Sequence, residues 1–253
     1  MLAALIPLAA AGCGDEEGDD SDSDSGGEAK PRLVVSAASS MTEALGACSP
    51  GFSGATVRLS FAGSDELAAQ IRQGVKPDVY AAANTRLPEE LAAEGLLGNP
   101  VEFATNELVL AVPKGSQVGS VTDLTAPGLK IAIGSESVPI GSYTRETLAK
   151  LPAAEEQAIL DNVRSNEPDV KGIIGKLTQG AVDAGFVYVT DVNAAGGELS
   201  AIDLPPQLEP QVTYAAGVVE GAKQPEQARA YVDGLLEGAC ATAMRDAGFG
   251  PAP

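Results

Sequence analysis

Leu33-Val34-Val35-Ser36-Ala37-Ala38-Ser39-Ser40-Met41-Thr42-Glu43-Ala44-Leu45-Gly46-Ala47 is the stretch from which the fold is read. Leu33–Ser36 is a short apolar run of the strand type, small residues follow, and Met41–Ala47 reads as a helix. The same alternation continues outward along the chain. Further strand candidates are Val57–Phe61, Val79–Ala82, Leu108–Val112, Lys130–Ile133, Gly185–Val189, Ala201–Leu204 and Val212–Val219. Further helix candidates are Asp65–Gln73, Pro88–Ala93, Gly141–Lys150, Val170–Thr178, Pro225–Leu236 and Ala239–Asp246. Pro88 and Pro225 stand where a first helical turn accepts proline. In Asp65–Gln73, Leu67, Ala68 and Ile71 share one face. Alternation of this kind predicts an α/β fold with mostly parallel strands flanked by helices. With no long linker between the strands, two lobes joined by strand-like crossings fit the pattern.

The chemistry is concentrated where strands end and helices begin. In the first such turn, Ser40 and Glu43 have the spacing of a capping box, which predicts that Ser40 caps the helix after it. The second turn is Phe61-Ala62-Gly63-Ser64-Asp65-Glu66-Leu67. The third is Val138-Pro139-Ile140-Gly141-Ser142-Tyr143, in which Gly141 would let backbone approach a ligand. The fourth is Asn166-Glu167-Pro168-Asp169-Val170-Lys171-Gly172. Each offers free backbone N–H groups and the positive end of a helix dipole, which together make an anion site. One such turn needs only a cap and no ligand. Four of them, two in each half of the chain, are better explained by an anion shared between two lobes.

Composition removes other classes. The 253 residues contain 16 Lys and Arg, 35 Asp and Glu and no His, for a net charge of −19. Without His there is no Ser-His-Asp triad and no imidazole base. The negative balance argues against binding nucleic acid. Absent Trp and 4% aromatic residues leave little surface for stacking on bases or sugars. Residues 2–11 form an apolar run of ten, too short to span a bilayer but suited to a signal peptide. It ends in Ala10-Ala11-Gly12-Cys13, which resembles a bacterial lipobox, so residues 1–13 are expected to direct export and Cys13 to carry lipid. Residues 14–29 hold eight acidic residues, four Gly, three Ser and one Ala. That composition predicts a disordered acidic tether, residues 14–31, holding the folded body off a membrane.

At the level of whole motifs the sequence resembles the substrate-binding proteins of bacterial molybdate ABC importers. The resemblance is carried by Ala37-Ala38-Ser39-Ser40-Met41-Thr42, by Phe61-Ala62-Gly63-Ser64 with Leu67-Ala68 and Gln70-Ile71, and by Pro77-Asp78-Val79-Tyr80. It continues in order through Asn106-Glu107-Leu108-Val109-Leu110-Ala111-Val112-Pro113, Val138-Pro139-Ile140-Gly141-Ser142-Tyr143, Asp169-Val170-Lys171-Gly172, Gly185-Phe186-Val187-Tyr188 and Val218-Val219-Glu220-Gly221. It covers the body from about Leu33 to Phe249. The resemblance implies a two-lobed periplasmic-binding-protein fold of type II, with 32–105 and 213–253 as the first lobe and 106–212 as the second. It implies a single tetrahedral oxyanion, molybdate or tungstate, and no cofactor. The hydroxyls of Ser40 and Ser64 would bind from one lobe, and the backbone N–H groups of Ile140 and Val170 with the Tyr188 hydroxyl from the other. Gly63 stands where the family often has serine, and Ile140 where it often has a small residue.

The resemblance also implies a monomer on the outer face of the cell membrane that hands its ligand to a membrane ABC permease and catalyses nothing. If the chain's tail returns to the first lobe, as the family implies, Cys48 and Cys240 could form a disulfide; two buried free thiols are the alternative. No motif places a carboxylate to accept a proton from a ligand. Two other readings stay open at this point. One is the same fold serving another oxyanion such as sulfate; the other is a tetrapyrrole-synthase-like enzyme, which needs an Arg-rich cavity and a cofactor-bearing Cys.

Overall fold

The computed structural model describes residues 30–253, so the signal segment, Cys13 and nearly all of the acidic tether lie outside the described residues. Ten strands and nine α-helices follow in order among the described residues. The strands are β1 (Arg32–Ala38), β2 (Thr56–Ala62), β3 (Val79–Ala82), β4 (Val101–Asn106), β5 (Leu108–Pro113), β6 (Ile131–Gly134), β7 (Val163–Glu167), β8 (Ala184–Tyr188), β9 (Leu199–Asp203) and β10 (Val212–Val218). The helices are α1 (Thr42–Cys48), α2 (Ser64–Arg72), α3 (Arg86–Ala93), α4 (Pro139–Leu148), α5 (Ala153–Asp161), α6 (Val170–Thr178), α7 (Val189–Ala194), α8 (Pro225–Leu236) and α9 (Ala239–Ala247).

Two five-stranded sheets share one plan, β2-β1-β3-β10-β4 and β7-β6-β8-β5-β9. In the first, β1 runs parallel to β2 and β3, while β10 is antiparallel to both β3 and β4. In the second, β6 runs parallel to β7 and β8, while β5 is antiparallel to both β8 and β9. Four strands of each sheet therefore point one way and a single strand opposes them. The opposing strand is in each case the one that has just crossed from the other sheet: β4 runs into β5 through Glu107, and β9 leads to β10. Asn106 and Val212, assigned to the second lobe from the sequence, are partners in the first sheet, so each lobe boundary moves by a residue.

The central strands β3, β6 and β8 are buried along their whole length, as expected of strands covered by helices on both faces. Their apolar runs made them legible. The strands that the sequence reading missed, β4 and β7, are different. β7 (Val-Arg-Ser-Asn-Glu) is an edge strand with only Glu167 buried, and polar side chains hide its period. β4 is the other kind of edge, half-buried, with Glu102 and Thr105 interrupting its apolar residues. Helix α5 was missed because only Ile159 of its nine residues is buried, which leaves no apolar stripe. Val189, read as strand, begins the six-residue α7 instead.

The C-terminal helices return to the first sheet. Cys48, at the end of α1, is bonded to Cys240 in α9 across 192 positions of sequence. Beside it the Ser49 and Tyr231 hydroxyls lie 2.7 Å apart, and Phe52 meets the Tyr231 ring edge-on at 5.4 Å. Closing so long a loop stabilises by about 5 kcal/mol in the chain-entropy model, with measured gains often smaller. Replacing both cysteines by serine is expected to lower the melting temperature while leaving ligand binding intact, as read by thermal denaturation with and without ligand. Two alkylatable thiols in unreduced protein would reject the linkage.

Candidate functional site

All four of the strand-to-helix turns singled out above meet at one cavity. From the first lobe come Ala38, Ser39 and Ser40 after β1, Ala62, Gly63 and Ser64 between β2 and α2, and Ala83 after β3. From the second come Val138, Pro139 and Ile140 at the start of α4, Asp169 and Val170 at the start of α6, and Tyr188 at the end of β8. The free space is small, about 10 Å³ on a scale where one water occupies about 10–15 Å³. As closed here it holds no more than about one water, and it lies at the carboxyl ends of the strands, the usual ligand position in open α/β sheets.

The wall consists of donors held in place by protein partners. Ser64 is the first residue of α2, and its hydroxyl accepts the Ala83 N–H at 3.1 Å, which leaves its own proton to give. Tyr80 donates to the Ser64 carbonyl at 2.7 Å and fixes that turn. In α2 the helical bonding begins with Leu67 N–H to Gly63 O, so the Ser64 amide precedes it. In α4 it begins with Gly141 N–H to Val138 O, so the Ile140 amide is likewise unused by the helix. Asp169 caps α6 by accepting the Gly172 N–H at 3.0 Å, ahead of which sits the Val170 amide. Tyr188 is 1% exposed, and its hydroxyl finds no protein partner. Burial holds that phenol well above its usual pKa, helped by Tyr214, Tyr143 and the Asp191 charge, so it remains a donor.

Several expectations change. Ser40 does not cap a helix: it lies in a 3₁₀ turn, Ser39–Met41, and its hydroxyl is 2.9 Å from that of Tyr214. Glu43, the other half of the expected capping box, instead contacts Lys171 Nζ at 2.8 Å. Gly141 serves packing rather than ligand approach, because a Cβ there would fall 2.5 Å from the Gly134 carbonyl oxygen. That backbone contact seats the start of α4 against the end of β6. A carboxylate does reach the wall, since Asp169 lines it, although one of its oxygens is taken up by the cap. Asp65 Oδ1, beside Gly63, is buried without a protein partner.

Two contacts tie the lobes across the cleft. Lys171 of α6 reaches Glu43 of α1 and also Asp191 of α7, at 3.1 Å. Burial pushes the Asp191 carboxyl up to about 7, against the pull of Lys171. Lys171 stood in a turn the sequence singled out, but nothing there signalled its pairing with Glu43 and Asp191, which depends on three separate helices meeting. The second contact is Gly63, whose missing side chain makes room for the Pro168 carbonyl, 2.5 Å from where a Cβ would stand. Both contacts belong to a closed cleft. Lysine and arginine are absent from the cavity wall among the described residues.

Two lobes that meet on a small cavity lined by helix starts are the arrangement of a solute-binding protein. A family model for bacterial extracellular solute-binding proteins matches residues 33–250, and the chain belongs to that family. Within it the chain groups with the molybdate-binding proteins. It is 34% identical over 224 residues to the molybdate-binding protein ModA of Mycobacterium tuberculosis, spanning 86% of this chain and 84% of that protein. It is 31% identical over 245 residues to the putative ABC transporter substrate-binding lipoprotein YvgL of Bacillus subtilis, spanning 93% and 91%. The periplasmic molybdate-binding protein of Azotobacter vinelandii has the same fold, with a TM-score of 0.77 at 22% identity over 86% of this chain and 98% of that one.

Gly63→Ala is expected to hold the lobes apart, because the new methyl would collide with the Pro168 carbonyl. Ligand affinity should fall at least about tenfold, the factor that 1.4 kcal/mol represents. The melting temperature of the free protein should stay within about 2 °C, since within its own lobe the methyl meets only the Asp65 carboxylate oxygen, at 2.9 Å, a side-chain end that can shift. Undiminished affinity by titration calorimetry would show that closure does not require glycine there.

Proposed function

We propose that this protein captures molybdate, and tungstate with it, outside the cytoplasm and delivers it to a membrane ABC importer. The observation that carries the reading is the Tyr188 hydroxyl, buried and unpartnered at a cavity whose other donors come from both lobes. A buried hydroxyl without a partner costs about 1–3 kcal/mol, and a bound oxyanion removes that cost. Ser40, Ser64 and Tyr188 offer three hydroxyls, and the Ile140 and Val170 amides add helix-start donors. The ligand is an anion because every one of these groups can give a proton. Selection of molybdate and tungstate over sulfate rests on size: donors fixed around a larger ion cannot all reach a smaller one.

Lobe closure around the dehydrated anion shifts the population from open to closed, and no bond is made or broken. The enzyme alternative lacks support in the site, for its cofactor would need a free thiol and both described cysteines are joined to each other. The test is thermal denaturation against molybdate, tungstate, sulfate and phosphate, followed by calorimetry on variants. A ligand at a thousandfold excess over its Kd stabilises by about 4 kcal/mol. Ser64→Ala and Tyr188→Phe should each weaken molybdate binding by about 1.5–3 kcal/mol, the range for hydrogen bonds to charged groups. No thermal rise with molybdate or tungstate would reject the ligand, and unchanged affinity in both variants would reject the site.

The anchor is part of the same proposal. Cys13 follows an apolar run of signal-peptide type, and lipid on that residue would keep the protein at the membrane through the acidic tether. Cys13→Ser should move the protein from the membrane fraction into the soluble extracytoplasmic fraction of the expressing cell. Retention in the membrane fraction would count against lipidation at this position.

A further inference from the structure

A hydroxyl in the wall of an anion site can present either its proton or its lone pairs, and only the proton attracts. For Ser40 the choice is settled by two other buried side chains. Asn106, the last residue of β4, takes the Glu107 backbone N–H on Oδ1 at 2.9 Å. A backbone N–H can only donate, so that atom of Asn106 is the oxygen and the other is the NH₂ group. The NH₂ group lies 2.9 Å from Thr190 Oγ1 and 3.3 Å from the Tyr214 hydroxyl. Having only protons to offer, it makes the Tyr214 oxygen an acceptor. Tyr214 is fully buried, so its own proton must find a protein partner, and Ser40 Oγ stands 2.9 Å away. Ser40 then has one proton left and the cavity in front of it.

We propose that Asn106 and Tyr214 are positioning residues that fix Ser40 as an obligate donor and thereby favour fully deprotonated oxyanions over protonated ones. The inference rests on the oxyanion reading given above. Phosphate carries a proton at neutral pH and must place it on an acceptor; against Ser40 it meets a second proton instead. Asp169, the wall's carboxylate, has one oxygen committed to the Gly172 N–H. Ser64 is also fixed as a donor, but by the backbone amide of Ala83, which no side-chain exchange short of proline removes. Ser40 alone of the two is set by side chains. Donation from Asn106 through Tyr214 also polarises the Ser40 hydroxyl, and such chains strengthen one another.

The test is titration of the full chain at pH 7 with molybdate and with inorganic phosphate, directly or by competition, for the native sequence, Tyr214→Phe and Asn106→Asp. Tyr214→Phe frees the Ser40 hydroxyl to turn. Molybdate affinity should fall about tenfold, phosphate affinity should hold or rise, and the ratio should narrow by about tenfold or more. Asn106→Asp exchanges the NH₂ group for an acceptor, so Tyr214 donates backwards and Ser40 presents lone pairs. Both dianions then lose to the added charge, but molybdate loses more, and the ratio narrows again. A structural defect would weaken both ions alike. Equal losses, no change, or phosphate binding that stays undetectable in both variants overturns the inference. Melting curves of the free variants establish folding, and Asn106→Asp decides alone if Tyr214→Phe does not fold. A native protein that binds neither molybdate nor tungstate ends the functional reading and this inference together. One that binds molybdate while both variants keep its selectivity ends this inference only.

Discussion

An anion taken out of water and met by no cation can be held only if many fixed dipoles point at one place. The site has no lysine or arginine in its wall among the described residues, so on the proposed reading hydroxyls and helix-start amides would carry that burden. The demand explains the architecture around it. Helix starts point at a common spot when several strand ends converge, and one sheet supplies too few. The two sheets therefore repeat one strand order and face the ends of β1, β2, β7 and β8 toward each other. Backbone-to-backbone packing at Gly134 and Gly141 places the first turn of α4 where its Ile140 amide can serve.

How much of this was legible follows from where each signal is written. The buried strands β3, β5, β6 and β8 announce themselves as unbroken apolar runs, and helices such as α2 and α6 as spaced apolar faces. β7 is written in polar residues and α5 in a nearly even mixture, so their existence depends on neighbours that no local window contains. The lining of the cavity was legible because short turns between strand and helix bring their chemistry with them. Partnerships were not. Ser40 and Glu43 satisfy the spacing of a capping box, yet each finds a stronger partner far along the chain, Tyr214 in one case and Lys171 in the other. Tyr214 itself reads as an ordinary strand residue; only the ring contacts with Phe103, Tyr188 and Phe249 show that it sits where the lobes join.

The acidic character of the chain contrasts with the cationless, donor-rich wall of its cavity among the described residues. A net charge of −19 repels anions at a distance, although salt confines that field to about 10 Å. Beside the cleft, Lys171 stands between Glu43 and the buried Asp191 in a charged group of its own. Lys171 thus compensates carboxylates instead of a ligand. Its bond to Glu43 spans the two lobes, so the same cation that neutralises the second lobe's buried acid also draws the first lobe toward it.

The exchange of strands between the sheets has a consequence for the order in which the molecule can assemble. Every strand of the second sheet lies within residues 108–203, one unbroken stretch, so that sheet can complete itself as soon as the stretch is available. The first sheet cannot. Its fourth strand in space, β10, and the two helices that brace α1 come from residues 212–247, at the far end of the chain. Until those residues arrive, β3 and β4 have open edges and no strand between them, and contacts so distant in sequence form slowly. During vectorial export the second lobe would thus stand finished while the first waits as an unclosed sheet, and that interval is when the chain is most exposed to proteases and to strand pairing with its neighbours.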